Sequence, residues 1–165
     1  MGVAGDLPHW GASLALACVL AGCAALEYPL AQPGQTEAQA VATMGPLTAR
    51  YTLPGGQQRL EFAKGPYGRY TWMVDLDAQG RVRTVQQVLT GAQFALARDG
   101  MPRDELLRLL GTPADRAREG QQRETWSWRF ATNDCLWVRV TLDADGRVIG
   151  GAATMTDPRC DINDR

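Results

Sequence analysis

The chain is poor in histidine and lysine. Its 165 residues contain one histidine, His9, and one lysine, Lys64. His9 lies within residues 1–22, whose composition predicts a segment removed on export. The mature chain would then lack the side chain that most often serves as general base and metal ligand. Pairs of Asp and Glu remain as an acid and a base, but no ligand cluster or phosphate loop accompanies them. We therefore expect no catalytic residues, no metal, no cofactor and no small-molecule substrate, in a protein that is not an enzyme.

The mature chain also lacks net charge. Of the 18 acidic and 17 basic residues, removal of residues 1–22 takes away only Asp6, which leaves 17 of each sign. A neutral chain without a basic face is not expected to bind nucleic acid. Residues 23–165 suit one compact domain or two very small ones.

An uncharged apolar run extends from Gly11 to Gly22. Its dozen residues are too few to span a bilayer and enough for the core of a signal peptide. The run closes on Leu20-Ala21-Gly22-Cys23, which resembles the lipobox of bacterial lipoproteins. That resemblance implies cleavage before Cys23 and a lipid on its thiol. The alternative is a plain secretory signal cleaved at an A-x-A-like site.

The segment before this run departs from an ordinary signal peptide because it contains no Lys or Arg, and the first firm positive charge is Arg50. Residues 23–35 are predicted to be a tether, with a reach of about 40 Å when extended. Ala24, directly after the cysteine, resembles lipoproteins that are sorted to the outer membrane. We therefore expect a lipid anchor in the outer membrane, with the protein on the periplasmic face.

Cysteine usage agrees with export. Cys18 would be removed, Cys23 would carry the lipid, and Cys135 and Cys160 would remain in an oxidising compartment. A Cys135–Cys160 disulfide would stabilise the fold by about 3 kcal/mol in the chain-entropy model. Two free buried thiols are the alternative.

An internal repeat divides the mature chain. Leu76–Val82 matches Leu142–Val148 at six of seven positions. The first unit is predicted at residues 36–90 and the second at 91–165.

Each unit is predicted to fold as short helices on a three-stranded antiparallel sheet, an α+β fold. Thr36 and Gln39 predict a capping box, and leucines at helical spacing predict a helix that begins near Pro102 and ends at Gly111. A shorter helical segment is predicted over Ala92–Arg98. The predicted strands are Arg59–Ala63, Tyr70–Leu76 and Arg81–Leu89 in the first unit, and Glu124–Ala131, Leu136–Leu142 and Arg147–Thr154 in the second.

This order of elements resembles the SmpA/OmlA outer-membrane lipoproteins, the BamE-like fold. The run Gly100–Leu107 looks like the helix entry of that family, with Pro102 in place of the usual capping threonine. The break Leu110–Pro113 and the final Gly-Arg-Val hairpin also match. The second unit resembles the family well and the first faintly. A tandem of such units also resembles the β-lactamase inhibitory proteins.

Two acidic turns and an aromatic strand have more than one interpretation. The turns near Asp75 and Asp143 suggest calcium loops, but the first has Gln86 at position twelve in place of a glutamate and the second begins with Thr141. Tight hairpins are the better interpretation. The alternating Trp126, Trp128 and Phe130 are expected to be core residues.

Trp137 shares its strand face with Arg139, opposite the predicted core face. If that face is open, Trp137 is exposed and stacked on Arg139, a pair of the kind found at binding hot spots. Packing by the C-terminal segment around Cys160 is the alternative. Trp137 and Arg139 are accordingly the candidate partner contact.

The sequence thus predicts a non-enzymatic, lipid-anchored scaffold or accessory protein. The family resemblance implies a role in envelope integrity or in outer-membrane protein assembly, with a protein partner in the envelope such as the assembly machinery. The alternative, by analogy with the tandem fold, is an inhibitor-like protein that binds a periplasmic or secreted hydrolase.

Overall fold

The computed structural model describes residues 1–2, 28–65, 68–130 and 135–156. These residues form two four-stranded antiparallel sheets and three short α-helices. No helix in these ranges has the length and apolar character needed to cross a membrane.

The elements follow one another in two groups. The first comprises α1 (Glu37–Met44), β1 (Ala49–Thr52), β2 (Gln58–Lys64), β3 (Tyr70–Leu76) and β4 (Val82–Gln87). The second comprises α2 (Gly91–Phe94), α3 (Arg103–Leu110), β5 (Asp115–Glu119), a 3-10 turn (Gly120–Gln122), β6 (Arg123–Arg129), β7 (Leu136–Leu142) and β8 (Val148–Thr156). Within each sheet the strands lie side by side in chain order.

The predicted α+β fold with three-stranded sheets is wrong, because the molecule is mostly β and each sheet has a fourth strand. The additional strands are β1 and β5, which pair with β2 and β6 at the sheet edges. β1 has only four residues, and every residue of β5 is exposed. Such edge strands are held by backbone hydrogen bonds, and the apolar alternation that predicts a half-buried strand is missing from β5. The predicted helix over Ala92–Arg98 is limited to the four residues of α2.

The two groups repeat the same elements at a constant spacing along the chain. Helix α1 corresponds to α3 and strand β3 to β7, with both ends of each element displaced by the same number of residues. The strand registers repeat as well, since Leu60 pairs with Val74 as Trp126 pairs with Val140. An isolated bridge also precedes each repeated helix, joining Thr36 to Arg81 and Pro102 to Arg147.

The two repeated helices begin differently. Thr36 and Gln39 form the predicted capping box, in which the Thr36 side chain accepts from the Gln39 N–H and the Gln39 side chain accepts from the Thr36 N–H. Pro102 at the start of α3 makes no side-chain cap. Both helices end at a glycine, Gly45 or Gly111, with a positive φ.

Each helix covers one face of its own sheet. Ala40 and Met44 of α1 pack on a cluster from the first sheet that contains Leu60, Phe62, Val74, Leu76 and Val82. Leu106 and Leu110 of α3, at the repeated positions, pack on Trp126, Trp128, Val140, Leu142 and Val148 of the second sheet. Met73, on the opposite face of β3, belongs to the second cluster, so the core of the second repeat extends to the far side of the first sheet.

The acidic turns are hairpins, as predicted. Asp77 Oδ1 accepts from the backbone N–H groups of Gln79 and Arg81, at 2.9 Å each. Asp143 Oδ1 does the same for Asp145 and Arg147, at 3.0 and 2.8 Å. These carboxylates hold their own turns.

Candidate partner-binding surface

The first sheet uses its second face to bind the end of α3. Side chains alternate along β2 and β3, so Glu61, Thr71 and Met73 lie opposite the face that α1 covers. All three are at most 2% exposed. The covering chain is the end of α3 together with Gly111 and Thr112, which joins the two repeats into one body.

The buried carboxylate of Glu61 is the centre of this junction. It accepts hydrogen bonds from the Thr112 N–H at 3.0 and 3.1 Å and from the Thr112 hydroxyl at 3.1 Å. The Tyr51 hydroxyl donates to it at 2.5 Å. Burial, and then the hydrogen bond to Glu61, raise the pKa of Tyr51 above its ordinary value. Tyr51 therefore stays protonated and remains a donor to the carboxylate.

Gly111 permits the approach of the two backbones. Its φ is +80°, and a Cβ at this position would lie 2.9 Å from Glu61 Cδ and 2.9 Å from Thr71 Cγ2. Any larger residue would therefore push α3 away from the first sheet. The Gly111 carbonyl also accepts from the buried Trp128 indole at 3.1 Å.

An ion pair extends the junction toward the other end of β2. Arg59 donates to both Asp75 oxygens, at 2.6 and 2.9 Å, and to the Arg108 carbonyl near the end of α3 at 2.8 Å. Burial acts to raise the pKa of Asp75, but the Arg59 hydrogen bonds and the charges of Arg59 and Arg83 outweigh it and lower the pKa below its usual value.

The second sheet has the equivalent face, with different residues. At the repeated positions, Ser127 stands for Glu61, Trp137 for Thr71 and Arg139 for Met73. The carboxylate that binds a following repeat is therefore missing from the equivalent position. We define the outer face of the second sheet as Thr125, Ser127, Arg129, Trp137, Arg139, Thr141, Ile149, Ala153 and Met155.

The expectation that Trp137 is exposed on an open face is wrong. Trp137 is 5% exposed, and the guanidinium of Arg129 lies 5.4 Å from its ring centroid. Sequence alternation could not decide this because it assigns a face without saying what packs on it. Arg139 is exposed, and so is Ile149 at 38%. The alternative of packing by the segment around Cys160 concerns residues outside the described ranges.

The aromatic strand β6 is part of the core, as expected. Trp126 and Trp128 are each 1% exposed. The guanidinium of Arg116 lies 4.4 Å from the Trp126 ring centroid and that of Arg103 lies 5.6 Å from it. The Trp126 indole donates to Glu124 at 3.0 Å. Phe130 is half-buried and meets Phe94 of α2 edge-on at 5.3 Å.

The two predicted covalent sites are described only in part. Cys135 is disulfide-bonded. Its predicted partner Cys160 lies outside the described residues, so the pairing stays a prediction. The lipidation site Cys23 is also outside them. Within the described ranges, no group of three or more His, Cys, Asp or Glu side chains is placed to hold a metal.

A groove of about 390 Å³ between α2 and β8 is a feature that the sequence did not predict. Phe94, Phe130, Val138 and Ala152 are among the residues that line it. The signal in the sequence was Gly150-Gly151, a pair of glycines inside a predicted strand, which often marks a bulge or a close approach of backbone.

No family model, no curated protein and no solved structure matches this chain.

Substitution of the buried carboxylate should destabilise the whole fold. Glu61→Ala leaves the Tyr51 hydroxyl and the Thr112 N–H without an acceptor, and we expect a loss of about 3 kcal/mol in the free energy of unfolding. Glu61→Gln keeps one acceptor oxygen and should lose less. The control is Glu37→Ala, which breaks an exposed ion pair with Arg50 and should cost under about 1 kcal/mol. Denaturant unfolding measures all three, and equal costs for Glu61→Ala and Glu37→Ala would contradict the assignment.

The lowered pKa of Asp75 predicts an acid-sensitive contribution to stability. A carboxyl with a folded pKa below its unfolded value of about 4 stabilises the fold above that pH and loses the effect as the pH falls through the folded pKa. Asp75→Asn should therefore flatten the decline of unfolding free energy below about pH 4. Asp115→Asn, at an exposed position of β5, should leave the decline unchanged. Unfolding curves from pH 6 to 2.5 test this, and a wild-type decline in Asp75→Asn would refute it.

Proposed function

We propose that the protein is a non-enzymatic, lipid-anchored binding protein of the outer membrane, and that the outer face of the second sheet docks a protein partner in the envelope. The observation that supports this docking surface is the correspondence between the two repeats. The equivalent face of the first sheet is a polypeptide-binding surface, since it buries Glu61, Thr71 and Met73 against the end of α3. The second sheet presents exposed Arg139 and Ile149 at its equivalent face.

The composition of this outer face favours a protein as the partner. Arg139 supplies a charge-assisted donor beside the small and apolar side chains of Ala153 and Ile149, a mixture of the kind found at protein interfaces. The half-buried Thr141, whose hydroxyl lies 3.3 Å from that of the buried Thr125, adds a polar group to this face. The neutral mature charge gives no support to a nucleic-acid partner.

The membrane location rests on the sequence alone. The lipobox resemblance at Cys23 and the alanine that follows it support an anchor in the outer membrane. A lipid at Cys23 would confine the domain near the membrane and raise its effective concentration toward partners there. The SmpA/OmlA resemblance suggests that these partners belong to the machinery of outer-membrane protein assembly or envelope integrity.

Acyl labelling tests the anchor. Wild type grown with a labelled fatty acid should incorporate label and sediment with the outer membrane, whereas Cys23→Ala should lose both properties. A Cys135→Ala variant controls for the removal of a cysteine elsewhere. An unlabelled wild type would refute the lipid anchor, and cleavage without label would indicate the plain secretory signal.

Charge reversal tests the docking surface independently of the anchor. Arg139→Glu should reduce cross-linking to the envelope partner at least about tenfold with unchanged thermal stability, because Arg139 is exposed. The matched control is Arg118→Glu, an exposed arginine on β5 whose pairing with Glu124 places it on the opposite face. Equal cross-linking by the two variants would exclude the outer face as the surface. Recovery of a soluble hydrolase instead of envelope proteins would favour the inhibitor-like alternative.

A further inference from the structure

We infer that the outer edge of β8 binds an extended polypeptide segment with alternating apolar side chains, which adds to the second sheet as a further strand. This site lies at the edge of the sheet and is separate from the outer face proposed above. It also does not depend on the lipid anchor. Three observations carry it: the composition of the edge, the direction of its backbone groups and the groove beside it.

The edge strands of the two sheets differ in charge. β1, β4 and β5 each carry charged side chains, namely Arg50 on β1, Arg83 on β4 and four of the five residues of β5. Charges on an edge strand oppose pairing with another chain. β8 has nine residues and none is charged. It is therefore the edge at which the sequence offers least resistance to a further strand.

The backbone pattern of the sheet shows which groups of β8 point outward. The Phe130 N–H donates to the Leu136 carbonyl at 2.9 Å, beside the Arg129–Trp137 pair of the β6–β7 ladder. Backbone bonds alternate along an antiparallel strand, so Leu136 bonds toward β6 and Trp137 bonds toward β8. Trp137 pairs with Met155. Ala152 and Thr154 therefore direct their N–H and carbonyl groups away from β7.

Among the residues that the structure describes, a loop covers the first part of this edge and nothing covers the second part. Val148 exchanges backbone bonds with Gly100 and Met101, and the Gly150 N–H donates to Asp99 at 2.7 Å. The pairing of β7 with β8 shifts register at Gly150 and Gly151, which form a bulge between Ile149 and Ala152. A Cβ on Gly151 would lie 2.9 Å from the Ala97 carbonyl oxygen, so glycine is needed there. Beyond the bulge, no backbone bond within the described ranges reaches the outward groups of Ala152 or Thr154.

The groove gives the added strand a place for its side chains. It opens beside the last residues of β8. Ala152 and Thr154 form one wall, and Phe94 and Phe130 form part of the other. None of the residues that line it is charged. A strand on the edge of β8 would direct every second side chain toward this groove. Apolar side chains suit an uncharged groove. Because every second side chain points toward the groove, the bound segment should have an apolar residue at every second position.

Paired N-methylated peptides provide the test. The probe is a capped, fluorescent nine-residue peptide that alternates Phe or Val with Thr, titrated into the full chain and followed by anisotropy. Two further peptides carry N-methyl groups at either the odd or the even residues. One of the two should bind at least about tenfold more weakly and the other should bind unchanged, because only one edge of the peptide pairs with β8. Equal binding of the two methylated peptides would overturn the inference.

Variants of the protein locate the site. Thr154→Pro removes an outward N–H without removing a bond to β7, and proline is tolerated at such edge positions. Thr154→Pro should weaken peptide binding at least about tenfold, whereas Thr154→Ala should leave the affinity unchanged. Ala95→Glu places a charge in the groove and should also weaken binding, in contrast to Ala92→Glu, at an exposed position of α2 outside the groove. Wild-type affinity in both Thr154→Pro and Ala95→Glu would refute the site.

A second copy of the chain is the competing occupant of this edge. Sedimentation of the full chain with and without the peptide distinguishes the two. A dimer that is lost in Thr154→Pro, together with no peptide binding, would overturn the inference in favour of β8–β8 pairing. If Thr154→Pro fails to fold, the methylated peptides still decide the question.

Discussion

The contact between the buried Glu61 carboxylate and Thr112 is the constraint on which the molecule depends. A carboxylate without exposure to water is stable only where donors surround it, and Tyr51 and Thr112 supply them. These donors come from different repeats, so neither repeat satisfies the carboxylate alone. The absence of a side chain at Gly111 lets the end of α3 come close enough to complete the set. The relative position of the two sheets follows from this contact and from the Arg59 bond to the Arg108 carbonyl.

The two repeats have kept a common backbone while their second faces have diverged. Helix lengths, strand registers and glycine helix ends recur from the first repeat to the second. The first repeat places an acid at the centre of that face, and the second places Ser127 there. Position 73 is a buried methionine, and its equivalent, Arg139, is exposed. One face is thus adapted to a neighbour within the chain, and the other places Ser127 and the exposed Arg139 at the equivalent positions.

Elements with a strong local signal could be predicted from the sequence. The Thr36–Gln39 capping box, the two hairpin turns that begin at Asp77 and Asp143, and the alternating strands β3 and β7 depend on contacts within or next to themselves. β1 and β5 could not be predicted because an edge strand is stabilised by its neighbour rather than by its own apolar pattern. Glu61, between Leu60 and Phe62, has the alternation of a solvent-facing residue, so only the second repeat reveals its burial. The burial of Trp137 could not be predicted either, because alternation assigns the side chain to a face without saying what packs on that face.

Helix α3 packs on its own sheet through Leu106 and Leu110, and its end packs on the other sheet through Gly111. Loss of either sheet would expose one side of this segment to water. The repeats are therefore not separable modules in the energetic sense, although the chain is duplicated. Local opening of one repeat would remove the support of the other, so we regard the pair as a single cooperative unit. Two structural copies thus form one folding unit.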